Sequence, residues 1–458
     1  MLHSLTLRPW RAAAAAALLF CISAAPALAD SASASRIDTG DTAWVLVSTA
    51  LVFLMTPGLA IFYAGMLRSK NVLSVLMQSF VACGLVSIQW FLFGYSIAFG
   101  PDHGGVIGDF SYALLHHVSA SAGSAYAPTI PHQLFCMFQL MFAIITPALI
   151  SGAVVERMRF SAYLLFLFLW ASIVYDPLTH WVWGHDGWLN RMGVQDFAGG
   201  SVVEMASGFS ALVLALVVGP RRRSDGGEEL RPHSLPLTVL GTGILWFGWF
   251  GFNAGSAVTS RALAVSSFTS THMAGATAAM VWLALDWMVY KRPSALGFCS
   301  GAVAGLVAIT PACGYVSPGG GVIVGAVAAV VCFYAIKIKN AIRADDALDV
   351  FGVHGCGGVW GVLATGLLAT TSVNPLAHNG LFNDGSFRQA MVPQLVEILA
   401  TALWCGLGTL VIAKIVGLVC GGLRASAEDE EVGLDLADHG EVGYSAESAS
   451  SPDLIGAH

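Results

Sequence analysis

Charge is what this sequence has least of. Of its 458 residues only 11% are Asp, Glu, Lys or Arg, against about 25% in an ordinary soluble protein. The two or three soluble domains that this length would otherwise suggest each need a polar surface, and there is too little polar material to coat them. A water-soluble enzyme is excluded on that ground. Cysteine is sparse too: there are nine, without a CxxC or any paired spacing, so neither a disulfide framework nor a metal cluster is expected. Those beyond Cys21 read as small apolar core residues. The sequence also has no nucleotide-binding glycine loop and no nucleophile–base pair, and the basic triplet Arg221–Arg223 is better explained by topology than by nucleic acid. What is abundant is apolar: 56% of residues are hydrophobic and the mean hydropathy is +0.72. This is the composition of an all-α polytopic membrane protein.

The net charge of −7 is unevenly placed. Nine acidic residues and no Lys or Arg follow Arg424, leaving 21 basic against 19 acidic residues in the body. Residues 425–458 therefore read as an acidic C-terminal tail, its last part, from 445, polar, small and without a core of its own. At the other end, Arg8 and Arg11 precede an apolar run from Ala12 to Ile22, and Ala27-Leu28-Ala29 fits a small-x-small cleavage site. The run is shorter than the ~20 residues of a membrane span, so residues 1–29 read as a signal peptide and 30–424 as the transmembrane domain.

Hydropathy then places eleven helices near 41–66, 72–99, 131–155, 160–177, 198–219, 235–257, 263–290, 294–314, 319–340, 349–370 and 393–420. With the start outside, an odd number puts the C-terminus in the cytoplasm. Basic residues test this separately: fifteen fall at predicted inner positions, among them Arg68, Arg157, Arg221, Lys339 and Arg424, and four at outer ones, Arg36, Arg191, Arg261 and Arg388. That is a strong positive-inside bias. The 51 glycines cluster inside apolar segments, where small residues let bilayer helices approach closely.

An ionisable side chain inside the bilayer costs at least ~2.5–3.5 kcal/mol and needs a reason. Asp196 and Glu204 bracket the start of the fifth helix, and Asp349 and His354 do the same for the tenth. Helices five apart have opposite orientation, which is the arithmetic of a 5+5 inverted repeat, followed here by an eleventh helix. Glu204 lies about 12 Å along its helix from Asp196 at 1.5 Å per residue, a depth His354 can share. As a matched pair they suggest a pathway; singly, each reads equally well as an interhelical hydrogen bond. Glu156 and Asp286 sit at inner helix ends beside Arg157 and Lys291, where local pairing suffices. His272 and Glu397 read as singly buried structural groups, and Asp176 and His180 as flanking the water-facing end of the fourth helix.

Aromatic residues give a third signal. Phe138 and Phe142 share a helix face, Trp183 stands in an expected outer loop, and Trp249 and Phe252 lie near the end of the sixth helix, just before Ser256. Such a cluster can hold a small cation against its ring faces; an aromatic belt at the interface is the alternative.

These segments resemble the ammonium transporter family (Amt/Mep/Rh). The resemblance runs from about Asp41 to Tyr444 and rests on four ordered motifs: Asp196-Phe197-Ala198-Gly199-Gly200, Gly248-Trp249-Phe250-Gly251-Phe252-Asn253-Ala254-Gly255-Ser256, Ala308-Ile309-Thr310-Pro311-Ala312-Cys313-Gly314-Tyr315 and Asp349-Val350-Phe351-Gly352-Val353-His354-Gly355. The tail segment Gly433-Leu434-Asp435-Leu436-Ala437-Asp438-His439-Gly440-Glu441 fits as well. The resemblance implies a homotrimer with one pore per subunit in the cell membrane, and no cofactor or metal. It implies ammonium or methylammonium as substrate, bound outside by Phe138, Trp183 and Ser256, with Phe142 and Phe252 as a stacked gate. Asp196 would support that site and help deprotonation, Thr310 and Trp249 would line the path, and His354 would be one of two pore imidazoles. Glu204 departs from the pattern, since most members carry a second histidine there and some, notably in fungi, a glutamate. An acid and an imidazole can share one proton, so Glu204 and His354 are expected on a proton route beside the path of neutral ammonia. Two other functions fit the same frame: an ammonium sensor signalling through its tail, where many bacterial relatives dock a PII-type signal protein, and a channel for a neutral gas, which the cation site of Trp183 and Ser256 disfavours.

Overall fold

The computed structural model describes residues 37–222 and 232–444. The signal-peptide expectation lies outside them, as do Arg36, Arg223, Arg231 and residues 445–458. Among the described residues the β-structure is slight: a two-stranded hairpin of β1 (Asp102–His103) and β2 (Ile107–Gly108) and one isolated bridge between Met158 and Arg424. All else that is regular is helical.

Among the described residues ten helical stretches are long and apolar enough to cross a membrane: α1 (Thr39–Gly65), α2 (Ser69–Phe99), α3 (His132–Val154), α4 (Phe160–Arg191, interrupted after Trp183), α5 (Gly200–Val218), α6 (Leu235–Gly255), α7 (Ala262–Tyr290), α9 (Pro318–Ala341), α10 (Phe351–Leu368) and α11 (Phe387–Val419). The eleventh expected span, α8 (Ala295–Ile309), has 15 residues, about 22 Å of helix. It starts at Ser294, whose side chain accepts from Gly297 N, and stops before Pro311, which has no N–H to continue the ladder. The expected helix to 314 is thus replaced by tight turns through Tyr315.

The fourth helix runs further than its sequence suggests. Asp176-Pro177 reads as an end, but a π-helical turn at Ala171–Tyr175 precedes it and the chain continues helically to Trp183. Proline is tolerated there because it falls in the first turn of the new segment. Trp183 accordingly closes a helix and does not stand in a loop. Asp176 and His180 are fully enclosed and do not face water: Gln89 Nε2 donates to Asp176 Oδ2 at 2.6 Å, and His180 pairs with Asp102 at 3.0 Å. His272 is on the exposed face of α7 beside Trp246 and Phe250, so it is not a buried group of the subunit.

α1 and α6, the first helix of each half, pack along most of their length. α5 and α10, the fifth of each half, cross at Gly208, where an added methyl would lie 2.2 Å from Gly355 N. This crossing brings the two polar helix starts to the middle of the bundle.

The end of the bundle opposite the hairpin is basic. Its hub is Glu156, buried, accepting from Arg68 Nε and Asn71 Nδ2 at 2.9 Å each and pairing with Arg221 at 3.4 Å. Its partners are therefore distant in sequence; the adjacent Arg157 instead donates to the carbonyls of Gly219 and Ala153, each at 2.7 Å. Asp286 likewise accepts from Ser294 Oγ at 2.6 Å and has no part in the expected pairing with Lys291. Burial opposes ionisation of Asp345 in the α9–α10 connection, but the Arg221 guanidinium outweighs it and holds the carboxyl down at about 2.

The described part of the tail is folded against this end. After Arg424, which grips Glu430 at 2.5 and 2.8 Å, come two short helices, α12 (Ala427–Val432) and α13 (Leu434–His439). Leu434 N donates to Asn71 Oδ1 and Asp435 Oδ1 accepts from Ser74 N, both at 2.8 Å. Asp438 accepts from Phe160 N at 3.3 Å, and Tyr444 OH bonds His233 at 3.0 Å. Three of the tail's acids are thus engaged with the body, Glu430 by Arg424 and Asp435 and Asp438 by backbone N–H groups at two helix starts.

Candidate functional site

A column of aromatic rings descends from the hairpin end. Trp183 is fixed by its indole N–H, which donates to the Asp196 carbonyl at 2.9 Å. Its ring meets Phe142 edge-on at 5.8 Å, and Phe138 meets Phe142 in the same way at 5.0 Å. Phe142 and Phe252 lie 4.4 Å apart between centroids, tilted by 44°, and both are buried. Ser256 Oγ donates to the Phe252 carbonyl at 2.8 Å, which leaves its oxygen free to accept. The structure thus brings Phe138, Trp183, Phe142, Phe252 and Ser256 into one group contributed by α3, α4 and α6.

Beneath the two phenyl rings lies an enclosed cavity of about 10 Å³, room for roughly one small molecule at a time. Its wall is apolar, from residues such as Leu59, Ile145, Val203 and Leu245, except for Glu204 and His354. Trp249 is also on the wall, but its N–H is engaged by Thr310 Oγ1 at 3.0 Å. Thr310 in turn donates to the Leu306 carbonyl at 2.8 Å, so it stands behind Trp249, holding the indole in place. A second cavity of about 50 Å³ continues toward the basic end, past Tyr63, Ser300 and Asp349; His354 lines both.

Glu204 Oε2 and His354 Nδ1 are 2.6 Å apart. That is a short hydrogen bond, and it joins the two side chains into one polar unit. Each sits in the π-helical opening turn of its helix, Gly200–Met205 and Phe351–Gly355. Such turns are rare and concentrate at functional sites.

Asp196 has a precise structural task. Its Oδ1 accepts from Gly199 N and Gly200 N at 2.8 and 2.6 Å. Its Oδ2 accepts from Ser201 N and Ser201 Oγ at 2.8 and 2.7 Å, with Val202 N further off at 3.5 Å. It caps α5, taking up the N–H groups that a helix start leaves unpaired. Gly199 makes the turn possible at φ 115°. The corresponding residues of the second half are not the ones that sequence inspection selects. Asp346, not Asp349, caps α10, accepting from Val350 N and Phe351 N at 3.1 and 2.8 Å. Asp349 takes the place of Gly199, with φ 60°, and its carboxylate pairs with Lys339 at 2.6 Å. The missed signal was spacing: Asp346 precedes His354 by the same eight residues that separate Asp196 from Glu204.

A model of the Ammonium Transporter Family matches residues 43–444. The chain belongs to the ammonium transporter family. It is 50% identical over 407 residues to an ammonium transporter of Bacillus subtilis, covering 88% of this chain and 98% of that protein. It is 43% identical to ammonium transporter Amt1 of Archaeoglobus fulgidus, with 88% and 99% covered. Among solved structures it superposes on Mep2 of Saccharomyces cerevisiae with a TM-score of 0.82 at 36% identity, covering 91% of this chain and 94% of that one. A structure described as a sensor Amt protein matches with a TM-score of 0.79 at 30% identity, with 87% and 98% covered. Family membership makes the chain a multi-pass transporter, and the aromatic column and buried acid–imidazole pair lie within the matched region.

Proposed function

We propose that the chain carries ammonium across the cell membrane, releasing the proton on the way. The cation is held at the hairpin end against the rings of Phe138 and Trp183, with Ser256 Oγ as acceptor. Ammonia passes the Phe142–Phe252 gate into the apolar cavity, and the proton moves separately by way of Glu204 and His354. The observation that carries this reading is the 2.6 Å Glu204–His354 contact, the polar feature of a cavity that otherwise offers an ion nothing. An intact ammonium ion would have to exchange its hydration there for the Glu204–His354 pair alone, whereas ammonia need not. Asp196, with its oxygens saturated by donors, acts as a fixed negative charge near the site and is a poor direct acceptor of the proton.

The positive-inside rule places the basic end in the cytoplasm and the hairpin end outside, with residues 1–29 removed as a signal peptide. The subunit is taken as one pore of a homotrimer, and the folded tail as the surface for a PII-type signal protein. The likeness to a sensor Amt protein supports a second reading, in which the same site senses ammonium and reports through the tail. Purified protein in proteoliposomes separates the two. Transport requires an ammonium-evoked current with methylammonium uptake, and a pure sensor gives neither.

A further inference from the structure

Lys339 is a buried cation that the pathway above does not use. It stands in the last turn of α9 with only 5% of its side chain exposed, and lysine is almost never buried unless it is paired. Its Nζ meets Asp349 Oδ1 at 2.6 Å and donates to the Asp346 carbonyl at 2.5 Å. The Asp346 carboxylate adds negative charge nearby, but its oxygens are taken up by Val350 N and Phe351 N. Asp349 lines the second cavity, the one that continues from His354 toward the basic end, and its side chain is 36% exposed. Lys339 thus reaches this carboxylate from the protein side, while the carboxylate borders the route by which ammonia would leave. A lysine head is a primary ammonium group with three donors, the same group that methylammonium carries. The inner mouth therefore holds acceptors of the right kind and spacing for the substrate cation, already filled by a cation that cannot leave.

We propose that Lys339 sets specificity at the inner mouth: its tethered ammonium head fills the acceptors of Asp349 and Asp346, so that no free ammonium ion lodges there. An ammonium ion on the cytoplasmic side would otherwise bind the carboxylate and obstruct release of the next ammonia molecule. Removing the amine alone turns the mouth into a cation trap, and removing the carboxylate with it abolishes the trap. The inference rests on the reading of the chain as an ammonium transporter whose exit is the second cavity.

The test compares full-length wild type, Lys339→Met and Lys339→Met/Asp349→Asn. Methionine keeps most of the apolar stem and lacks the ammonium head, and asparagine tolerates the left-handed backbone of Asp349. Lys339→Gln, with a neutral head, serves the same comparison where Lys339→Met does not fold. Ammonium chloride is raised from zero to about 100 mM, with tetramethylammonium chloride, which has no N–H to donate, holding the ionic strength constant. The thermal midpoint of Lys339→Met should rise by about 2 °C or more beyond any rise of the wild type, because the cation binds the folded mouth. The double variant should lose that gain. In proteoliposomes the Lys339→Met ammonium current should saturate at about tenfold lower concentration and with a lower maximum, the pattern of a cation held too well; a merely structural lysine predicts the lower maximum alone. A Lys339→Met midpoint that responds to ammonium no more than wild type, or a gain that persists in the double variant, would overturn the assignment. Absence of any ammonium-evoked current in the wild type would instead refute transport, and the midpoint titration would still decide whether Lys339 fills a cation site.

Discussion

Asp346 does for α10 what Asp196 does for α5. Each carboxylate lies eight residues before a member of the Glu204–His354 pair and accepts the backbone N–H groups of a π-helical opening turn. Each is followed three residues later by a left-handed residue, Gly199 or Asp349. The pair Glu204 and His354 is aligned because these two caps set the rotation and depth of both helices. The functional site is in this sense a product of two helix starts crossing at Gly208, with its side chains placed by backbone geometry before any contact between them.

Loss of either cap should therefore loosen the pore pair as well as the helix. Removing Asp196 strands buried N–H groups that water cannot reach, which costs about 1–3 kcal/mol per group; Asp346 accepts fewer and should cost less. Asp196→Ala is expected to lower the thermal midpoint in detergent more than Asp346→Ala, and both should slow methylammonium uptake. Asp196→Asn should resemble Asp196→Ala, because its amide N–H₂ would face the donors of Ser201. A midpoint for Asp196→Ala equal to wild type would contradict the capping role.

Glu204→Gln retains a hydrogen-bonding partner for His354 but removes the ionisable carboxyl. The ammonium current in proteoliposomes should fall by about 10–100-fold with little change in thermal stability, and its pH dependence should change. Glu204→His restores a group that can take up and release a proton, so it should recover more of the current than Gln does. Current–pH curves that superpose for wild type and Glu204→Gln would remove Glu204 from the proton route.

Much of this was legible in the sequence, and the failures have identifiable causes. All eleven helices follow from hydropathy, because bilayer helices must be apolar for about 20 residues, although α8 is shorter than expected. The depth match of Glu204 and His354 follows from the helical rise. α8 stops early because Pro311 outweighs the apolar residues around it, and α4 overruns because a π-helical turn absorbs Pro177, which reads as a stop. Position relative to the apolar run singles out Asp349 and passes over Asp346, whereas the structure has Asp346 as the cap three residues before the positive-φ Asp349. The partners of Glu156 come from segments far apart in sequence, and local periodicity carries no information about them.

The basic end supplies a pH prediction. Asp345 titrates at about 2 in the folded protein, below the ordinary aspartate value of about 3.9 in an unfolded chain. A depressed carboxyl contributes stability that is complete above the unfolded value and is lost as pH falls through the folded one. The wild type should thus lose thermal stability between about pH 4 and 2 as the Arg221 contact at 2.9 Å is released. Asp345→Asn should be less stable than wild type at pH 6, and the gap should narrow at pH 3. A gap that stays constant across that window would show that the ion pair contributes nothing to the difference.

Phe252 tests the gate. Its ring lies 4.4 Å from that of Phe142 and 5.6 Å from that of Trp249, and the cavity beneath holds only about 10 Å³. If the two phenyl rings set the size limit, removing one should favour larger amines more than ammonium itself. Phe252→Leu should raise the uptake of methylammonium relative to ammonium, and dimethylammonium should begin to compete for entry. Leucine is the better probe because Phe→Ala in a packed core costs about 3–5 kcal/mol and would confuse loss of gating with loss of fold. An unchanged methylammonium-to-ammonium ratio in a well-folded Phe252→Leu variant would move the selectivity step away from the rings, to Ser256 and Trp183 above them.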